Sequence, residues 1–233
     1  MINKVLPRCC RSVRCCQRLT NCTARYRQAR TNAFTLIELI VVIGIIVILS
    51  GLVLSTVGYA RKKGALARAE TEIAAISAAL ENYKADNAVY PRDCFTTSQL
   101  NSTNDGNPVD YATASRYLYG ELTGDRNFDG TTDTGAKSYM TFKSNSMLRA
   151  DMSQPPSSSN LVTALGDPFS NSYGYSTAYA NYLDFQSGVS TCLPPSSPNG
   201  YNPTFDVWST SGETGPKAGE TFQQYQLRWI KSW

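Results

Sequence analysis

One acidic side chain lies inside a long apolar stretch near the start of the chain. Residues 34–57 read FTLIELIVVIGIIVILSGLVLSTV, and Glu38 is the only ionisable group among them. A carboxylate placed inside a membrane costs roughly 2 to 3 kcal/mol on insertion scales, so it needs a cation or a task. No cation lies within the stretch. We therefore expect Glu38 to be neutralised by a chain terminus, a lipid head group or another molecule.

A second group of oxygen-bearing side chains lies in the segment DRNFDGTTD. Asp125, Asn127, Asp129 and Asp133 have the spacing of a calcium-binding loop, with a glycine at the position where such loops turn. The residue that should close the loop with a bidentate carboxylate is Ala136. The segment therefore predicts either a calcium site or a polar turn rich in Asp, Asn and Gly.

The chain contains no histidine, which narrows its possible chemistry. The absence excludes Ser-His-Asp and Cys-His nucleophile systems and every zinc or iron site with a histidine ligand. Carboxylate or lysine chemistry stays formally open, but no motif in the sequence indicates it. We therefore predict that the chain is not an enzyme and requires no cofactor.

Basic residues cluster before the apolar stretch. Residues 1–33 hold eight of the 22 Lys and Arg side chains and no acid, which leaves 14 basic and 18 acidic residues, a net charge of −4, in the rest. The basic residues that closely follow the stretch are Arg61, Lys62, Lys63 and Arg68, half as many as precede it. The positive-inside rule therefore predicts a cytoplasmic N-terminus and an exported C-terminal region. The exported part has no basic excess for nucleic acid; a nucleic-acid-binding arm in residues 1–33 is the alternative.

The cysteines divide in the same way. Five lie within residues 1–33, which are predicted to stay in a reducing compartment, whereas Cys94 and Cys192 follow the apolar stretch. A pair of cysteines in an exported domain is typical of one disulfide. It would close a loop of about a hundred residues and contribute about 4 to 5 kcal/mol in the chain-entropy model. Two free thiols are the alternative.

Helical periodicity continues beyond the apolar stretch, and no proline occurs between Phe34 and Tyr90. We predict one helix that ends near Asn87, membrane-spanning over residues 34–57 and amphipathic over residues 58–90. At 1.5 Å per residue the first part would be about 36 Å long, enough for a hydrocarbon core of about 30 Å. Apolar side chains spaced by three and four form one face of the second part. They are Leu66, Ala69, Ile73, Ile76, Leu80 and Tyr83.

Residues 91–233 predict one small α+β domain, in which the long helix packs on a small antiparallel β-sheet. A coiled-coil partner is the alternative cover for the helix. A short helix is predicted over residues 111–122, ending at Gly124, and loops are predicted at residues 153–160 and 193–202. Three strands are predicted, at residues 138–143, 173–177 and 204–209.

Several segments carry a resemblance to a known family. The sequence FTLIE at residues 34–38, behind a basic segment, resembles the prepilin signal of type IV pilins and type II secretion pseudopilins. Four later segments are similar, in the same order, to the major pseudopilins of type II secretion systems. They are VYP at 89–91, DPFSNSYGY at 167–175, FDVWS at 205–209 and IKSW at 230–233.

The resemblance implies how the chain is processed and used. A prepilin peptidase would cut between Ala33 and Phe34, although the family usually has glycine where this chain has Ala33, and the new amine of Phe34 would be methylated. Glu38 would guide assembly by pairing with the Phe34 amine of a neighbouring subunit. The subunit would span the inner membrane once, with its C-terminal domain in the periplasm. It would form a helical homo-oligomeric fibre with other pseudopilins on an inner-membrane assembly platform and would drive protein secretion.

The resemblance also implies a calcium ion in the last loop, where Ser209, Ser211, Glu213 and Glu220 offer oxygen atoms. The two residues directly before Ile230 are Arg228 and Trp229, and neither can ligate a metal. A loop held by packing of tryptophans is the alternative.

Two other functions stay open. The first is a type IV pilin for adhesion or DNA uptake. The second is a membrane-anchored module that binds glycan through a group of tyrosines, although tyrosines in strands and turns commonly serve packing. They are Tyr173, Tyr175, Tyr179 and Tyr182.

Overall fold

The computed structural model describes residues 34–194 and 197–233. The basic segment predicted to be a leader, residues 1–33, lies outside the described residues. The chain forms two compact units, divided after Leu52.

Helix α1 runs from Leu36 to Asn87, 52 residues in all, which confirms the predicted long helix. Among the described residues it is the one helix whose length and composition would allow it to cross a membrane. The helix ends through Ala88, which lies in the left-handed region at φ 62°. The Ala88 N–H donates to the carbonyl of Lys84 at 2.7 Å, so the backbone closes the last turn without a glycine.

The second half of α1 buries one face in the core of the C-terminal unit. Ala69, Ile76 and Leu80 are fully buried and Ile73 is nearly so. Ile73, Ile76 and Leu80 pack with residues of the strands and of the second helix, which confirms the predicted apolar face and its cover. Burial of such side chains is the main favourable contribution to folding.

Helix α2 spans Ala112–Thr123, as predicted. It ends at Gly124, whose φ of 70° places it in the left-handed region that glycine adopts at little cost. Ser115 joins the helix to a strand, because its hydroxyl donates to the carbonyl of Leu165 at 3.1 Å and accepts from the N–H of the same residue at 3.0 Å.

Five short strands form two antiparallel sheets. One sheet pairs β1 (Met147–Arg149) with β2 (Val162–Leu165). The other has the order β3 (Gly174–Ser176), β4 (Asp206–Ser209) and β5 (Ile230–Lys231). The α+β class and the predicted strands at β3 and β4 are confirmed, but the strands form two small sheets rather than one.

The strand predicted at residues 138–143 is wrong. The N–H groups of Tyr139 and Met140 both donate to the carbonyl of Leu122, at 2.8 and 3.1 Å, so this segment binds the end of α2 and does not pair with a strand. Tyr139, Met140 and Phe142 nevertheless pack on the core. This packing explains why the segment is rich in apolar and aromatic residues without being a strand.

Two short helices complete the C-terminal unit, α3 (Ala178–Gln186) and α4 (Phe222–Gln226). A second apolar cluster lies beside α4 and β4 and contains Trp208, Trp229 and Tyr225 among its buried residues. Gly174 faces the Trp208 ring so closely that a Cβ there would lie 2.0 Å from a ring atom. Glycine at this position therefore allows β3 and β4 to pair beneath the indole.

Candidate functional site

The first half of α1 exposes a continuous apolar surface. Its large apolar side chains between Phe34 and Leu54 are 49 to 84% exposed. A contiguous apolar surface of this extent is typical of a segment covered by lipid or by another protein. We take this segment as the candidate site because it also contains Glu38.

The backbone places Glu38 in the first turn of the helix. Its N–H donates to Thr35 Oγ1 at 3.3 Å, while its Oε2 accepts from the N–H and from the hydroxyl of Thr35, at 2.9 and 2.8 Å. This reciprocal arrangement is a capping box, which satisfies amide groups that a helix start leaves without partners. The carboxylate is thereby held in one orientation, and among the described residues no donor contacts its Oε1.

Glu38 is the polar member of an otherwise apolar helix face. Phe34, Ile37, Val41 and Val42 lie with it along an open groove of about 310 Å³. Their spacing of three, four, seven and eight residues places them on one side of the helix. A carboxylate with one oxygen free of donors, on an apolar surface, can accept a hydrogen bond from a cationic group. An ammonium is the smallest cationic donor available in proteins.

Two predictions about processing concern the start of this segment. Ala33 lies outside the described residues, so cleavage after it stays a prediction. The side chain of Phe34 is 84% exposed and lies one helical turn from Glu38. Methylation of Phe34 and a role for Glu38 in assembly also stay predictions, now with both residues placed on one groove.

The segment predicted to bind calcium forms a loop closed by its own hydrogen bonds. Asp125 is buried and accepts from the Tyr119 hydroxyl at 2.7 Å and from the N–H of Gly130 at 2.8 Å. Asp129 accepts from the hydroxyl of Thr131 at 2.6 Å. These are contacts typical of a polar turn, in which backbone and hydroxyl donors engage both oxygens of Asp125 and one oxygen of Asp129.

The other two members of the predicted ligand set are also engaged. Asn127 accepts from the N–H of Asp129 at 3.0 Å, and Asp133 accepts from the N–H of Arg126 at 3.1 Å. Within the described residues, no three acidic or cysteine side chains gather as a metal-binding group. The residues present do not fit a calcium ion, and calcium binding here stays a prediction without support from the contacts.

The ligand set predicted in the last loop is split between two other interactions. Ser209 donates to the buried Asp167 at 2.5 Å. Glu213 accepts from Arg228, with Nε lying 2.8 Å from its Oε2. Burial raises the pKa of Asp167, whereas its hydrogen bonds from Ser209 and two backbone amides act in the opposite direction. A calcium site shared by Ser209 and Glu213 therefore stays a prediction, and these contacts give it no support.

A disulfide joins Cys94 to Cys192, with a Cα–Cα distance of 5.0 Å. It connects the chain just after α1 to the loop that follows α3, across a sequence separation of 98 residues. Gln99 reinforces the connection, because its side-chain amide donates to the carbonyls of Cys94 and Leu193, at 3.2 and 2.8 Å.

The tyrosines considered for glycan binding divide into two kinds. Tyr173 and Tyr175 are buried, and their hydroxyls donate to Glu72 and to the carbonyl of Pro91, at 2.7 and 2.6 Å. Tyr179 and Tyr182 are partly exposed. Two of the four rings therefore serve packing, which removes half of the surface on which that alternative depends.

Two contributors to these sites were not predicted. The first is the hydrogen bonding of Thr35 to Glu38, although Thr-x-x-Glu before an apolar run is the sequence signal of a capping box. Arg228 was treated only as a residue that cannot bind metal, and no local pattern indicates that it pairs with Glu213 and Glu220, since those residues precede it by 15 and 8 positions.

The comparisons with known proteins agree with the geometry of the first segment. A family model described as the prokaryotic N-terminal methylation motif matches residues 28–54, which include Phe34 and Glu38. No match was found among curated proteins or among solved structures. The chain carries a prokaryotic N-terminal methylation motif, which indicates processing of the type IV pilin and pseudopilin kind.

Proposed function

We propose that the chain is a structural subunit of a helical fibre that assembles through the first half of α1. A prepilin peptidase cuts between Ala33 and Phe34, and the new amine of Phe34 is methylated. The observation that carries the proposal is the exposed apolar surface of α1, which has Glu38 as its acid and coincides with the methylation motif.

Pairing between subunits follows from the charge on this surface. Inside a fibre the apolar faces cover one another, so each Glu38 carboxylate leaves water and needs a cation. The amine of a neighbouring Phe34 provides one positive charge on the same apolar face. Opposite charges at about 4 Å attract far more strongly in a low-dielectric interior than in water. The pair would therefore fix the axial offset between successive subunits.

We propose further that the fibre is a pseudopilus of a type II secretion system, formed in the periplasm from a subunit of the inner membrane. The support is the order of the four segments that resemble major pseudopilins. Three of them contribute strands of one sheet, since β3, β4 and β5 lie within or overlap residues 167–175, 205–209 and 230–233. A type IV pilus is the competing fibre, and the methylation motif is common to both.

Processing is tested by mass spectrometry of the protein purified from membranes. The proposal expects a chain that begins at Phe34 and carries one additional methyl group. A chain that retains residues 1–33 has no Phe34 amine and would rule out the pairing.

Assembly is tested by Glu38→Gln, which removes the charge but keeps the size of the side chain. The expected result is a normally inserted subunit that no longer forms fibres. The matched control is Glu70→Gln on the exposed face of the same helix, which should assemble like the unmodified chain. Fibres from Glu38→Gln at the control level would contradict the proposal.

The type of fibre is tested by deleting the gene that encodes the chain from its own organism. A pseudopilus subunit predicts loss of proteins from the culture medium with unchanged surface filaments. Loss of surface filaments, adhesion or DNA uptake with normal secretion would instead identify a type IV pilin.

A further inference from the structure

The loop between β4 and β5 encloses a cation that belongs to the chain. The guanidinium of Arg228 lies between two carboxylates, Glu213 and Glu220. Its Nε donates to both oxygens of Glu213, at 2.9 and 2.8 Å, and its Nη2 donates to Glu220 Oε2 at 2.9 Å. A further contact joins Nη1 to Glu220 Oε1.

These contacts use the full geometry of the guanidinium. Arg228 presents a planar fork of donors, and each carboxylate receives at least two of them, which is the strong form of this ion pair. The side chains are largely enclosed, with exposed fractions of 31% for Arg228, 23% for Glu213 and 15% for Glu220. The guanidinium is thus partly buried and has carboxylate oxygens on two sides, unlike a fully exposed surface ion pair.

The three residues of this ion pair also make hydrogen bonds with other residues of the loop and of α4. The Arg228 carbonyl accepts from the hydroxyl of Ser211 at 2.6 Å, and Glu220 accepts from the N–H of Lys217 at 2.9 Å. The carbonyl of Glu213 accepts from the hydroxyl of Tyr225 at 3.2 Å. Three separate points along the loop are therefore connected through the residues that contact the guanidinium.

Without Arg228 the two acids would face one another across the loop. Two carboxylates, a serine hydroxyl and backbone carbonyls form a set of hard oxygen donors, which is the kind of set that calcium prefers. In the folded chain the guanidinium already engages all four carboxylate oxygens. The loop thus contains oxygen ligands suited to a divalent cation, and the guanidinium of Arg228 already binds the carboxylates among them.

We propose that Arg228 is the resident cation of this loop, so that the C-terminal region of this chain folds without a divalent metal. Removal of the Arg228 charge converts the loop into a calcium-binding site formed by Glu213 and Glu220. The proposal concerns the loop alone and is independent of the fibre function.

The three tryptophans of the chain report on this region. Trp208 stacks on Trp229 with ring centroids 5.9 Å apart, and Trp233 lies 6.2 Å from Trp208. No other tryptophan occurs in the sequence. Intrinsic fluorescence during heating therefore follows the unfolding of the region around the loop.

The test compares melting temperatures of the full chain in detergent micelles, with calcium and with the chelator EGTA. The unmodified chain should melt at the same temperature in both. Arg228→Gln should melt about 3 to 6 °C lower in EGTA and recover most of that loss in calcium. Arg228→Lys keeps one charge with fewer donors and should lie between them.

Two controls identify the residues responsible. Arg126→Gln removes an exposed arginine that lies 3.7 Å from Glu121 and should change neither the melting temperature nor the calcium response. Adding Glu213→Gln and Glu220→Gln to Arg228→Gln should abolish the recovery in calcium. A calcium-dependent shift in the unmodified chain that Glu213→Gln and Glu220→Gln together abolish would overturn the proposal, and so would an Arg228→Gln variant that calcium does not stabilise.

Discussion

Ile46 and Ile76 are the same residue type in one helix, yet Ile46 is 55% exposed and Ile76 is fully buried. Ile76 packs against the sheets and α2 of its own chain, whereas no described residue covers Ile46. Both halves of α1 are apolar on at least one face. The two halves differ in how far that face is exposed, and the proposed function assigns the cover of the first half to lipid and to neighbouring subunits.

The acids show the same difference. In the second half, Glu72 and Glu81 accept from the hydroxyls of Tyr173 and Tyr90, at 2.7 and 3.0 Å. Glu38 in the first half contacts Thr35, its neighbour within the same turn. Glu72 and Glu81 thus have partners outside α1, whereas the hydrogen bonds of Glu38 are to Thr35 and leave its Oε1 without a donor among the described residues. The proposed function assigns that oxygen to the amine of a neighbouring subunit.

The largest expected effect concerns the disulfide, which constrains the C-terminal unit alone. Replacing both Cys94 and Cys192 with serine should lower the unfolding free energy by about 4 kcal/mol, because the crosslink closes a loop of about a hundred residues. Urea unfolding of the full chain in detergent, followed by tryptophan fluorescence, measures the change. An unchanged midpoint would show that the crosslink does not contribute to the stability of this unit.

The comparison between the two isoleucines is sharpened by truncating each of them. Ile76→Ala should lower the unfolding free energy of the C-terminal unit by about 2 to 5 kcal/mol, since it leaves a cavity in the core. Ile46→Ala should change it by less than about 0.5 kcal/mol. The same urea experiment measures both, and equal losses would refute the view that only the second half is part of the core.

The next effect concerns the acids of the second half. Glu72→Gln weakens the hydrogen bond from the buried Tyr173 and removes the ion pair with Arg68, and should cost about 1 to 2 kcal/mol. Glu70→Gln, two positions away on the exposed face, should cost less than about 0.5 kcal/mol. If the two variants unfold at the same urea concentration, the hydrogen bond from Tyr173 to Glu72 does not contribute to the stability of the fold.

The smallest expected effect is a pH dependence of the last loop. Hydrogen bonds from Arg228 lower the pKa of Glu220 to about 2, below its ordinary value of 4.5. A lowered pKa in the folded state stabilises the fold above the unfolded value, and this stability is lost as the pH falls from about 4.5 towards 2. Two further charged groups lie near the ion pair of Glu220 with Arg228. Glu213 pairs with the same guanidinium, and the ammonium of Lys217 lies 3.9 Å from Glu213.

Urea midpoints measured between pH 5 and 2 test this dependence, and these pH values span the expected titration range. Glu220→Gln should be less stable than the unmodified chain above pH 5, and the difference should shrink as the pH falls. A difference that stays constant with pH would mean that the charge of Glu220 does not hold the loop.

Strong local patterns predicted much of the fold. The spacing of Ile73, Ile76 and Leu80 marked the buried face of α1, and Gly124 marked the end of α2. The segment around Tyr139 was predicted wrongly because aromatic and apolar residues that pack on the core from a loop have the same composition as a strand. Strand β5 has two residues, Ile230 and Lys231, and a segment so short has no periodicity to recognise.

The candidate site was predicted more completely than the loops. A lone acid in an apolar stretch is visible in any reading of the sequence, so Glu38 could be identified before its surroundings were known. The acids of the two candidate calcium loops could not be assigned in this way. Whether Asp125 faces a metal or a backbone amide depends on a loop conformation, and whether Glu213 is free depends on where the distant Arg228 lies.

The central claim is that the amine of one subunit meets the carboxylate of the next. Fibres assembled from a mixture of unlabelled and ¹⁵N-labelled subunits can be treated with a zero-length carbodiimide crosslinker, which joins only amines and carboxylates in direct contact. Mass spectrometry should then find Phe34 of one isotopic form linked to Glu38 of the other. Intact fibres in which the Phe34 amine is linked only to groups of its own subunit, or to none, would contradict the claim.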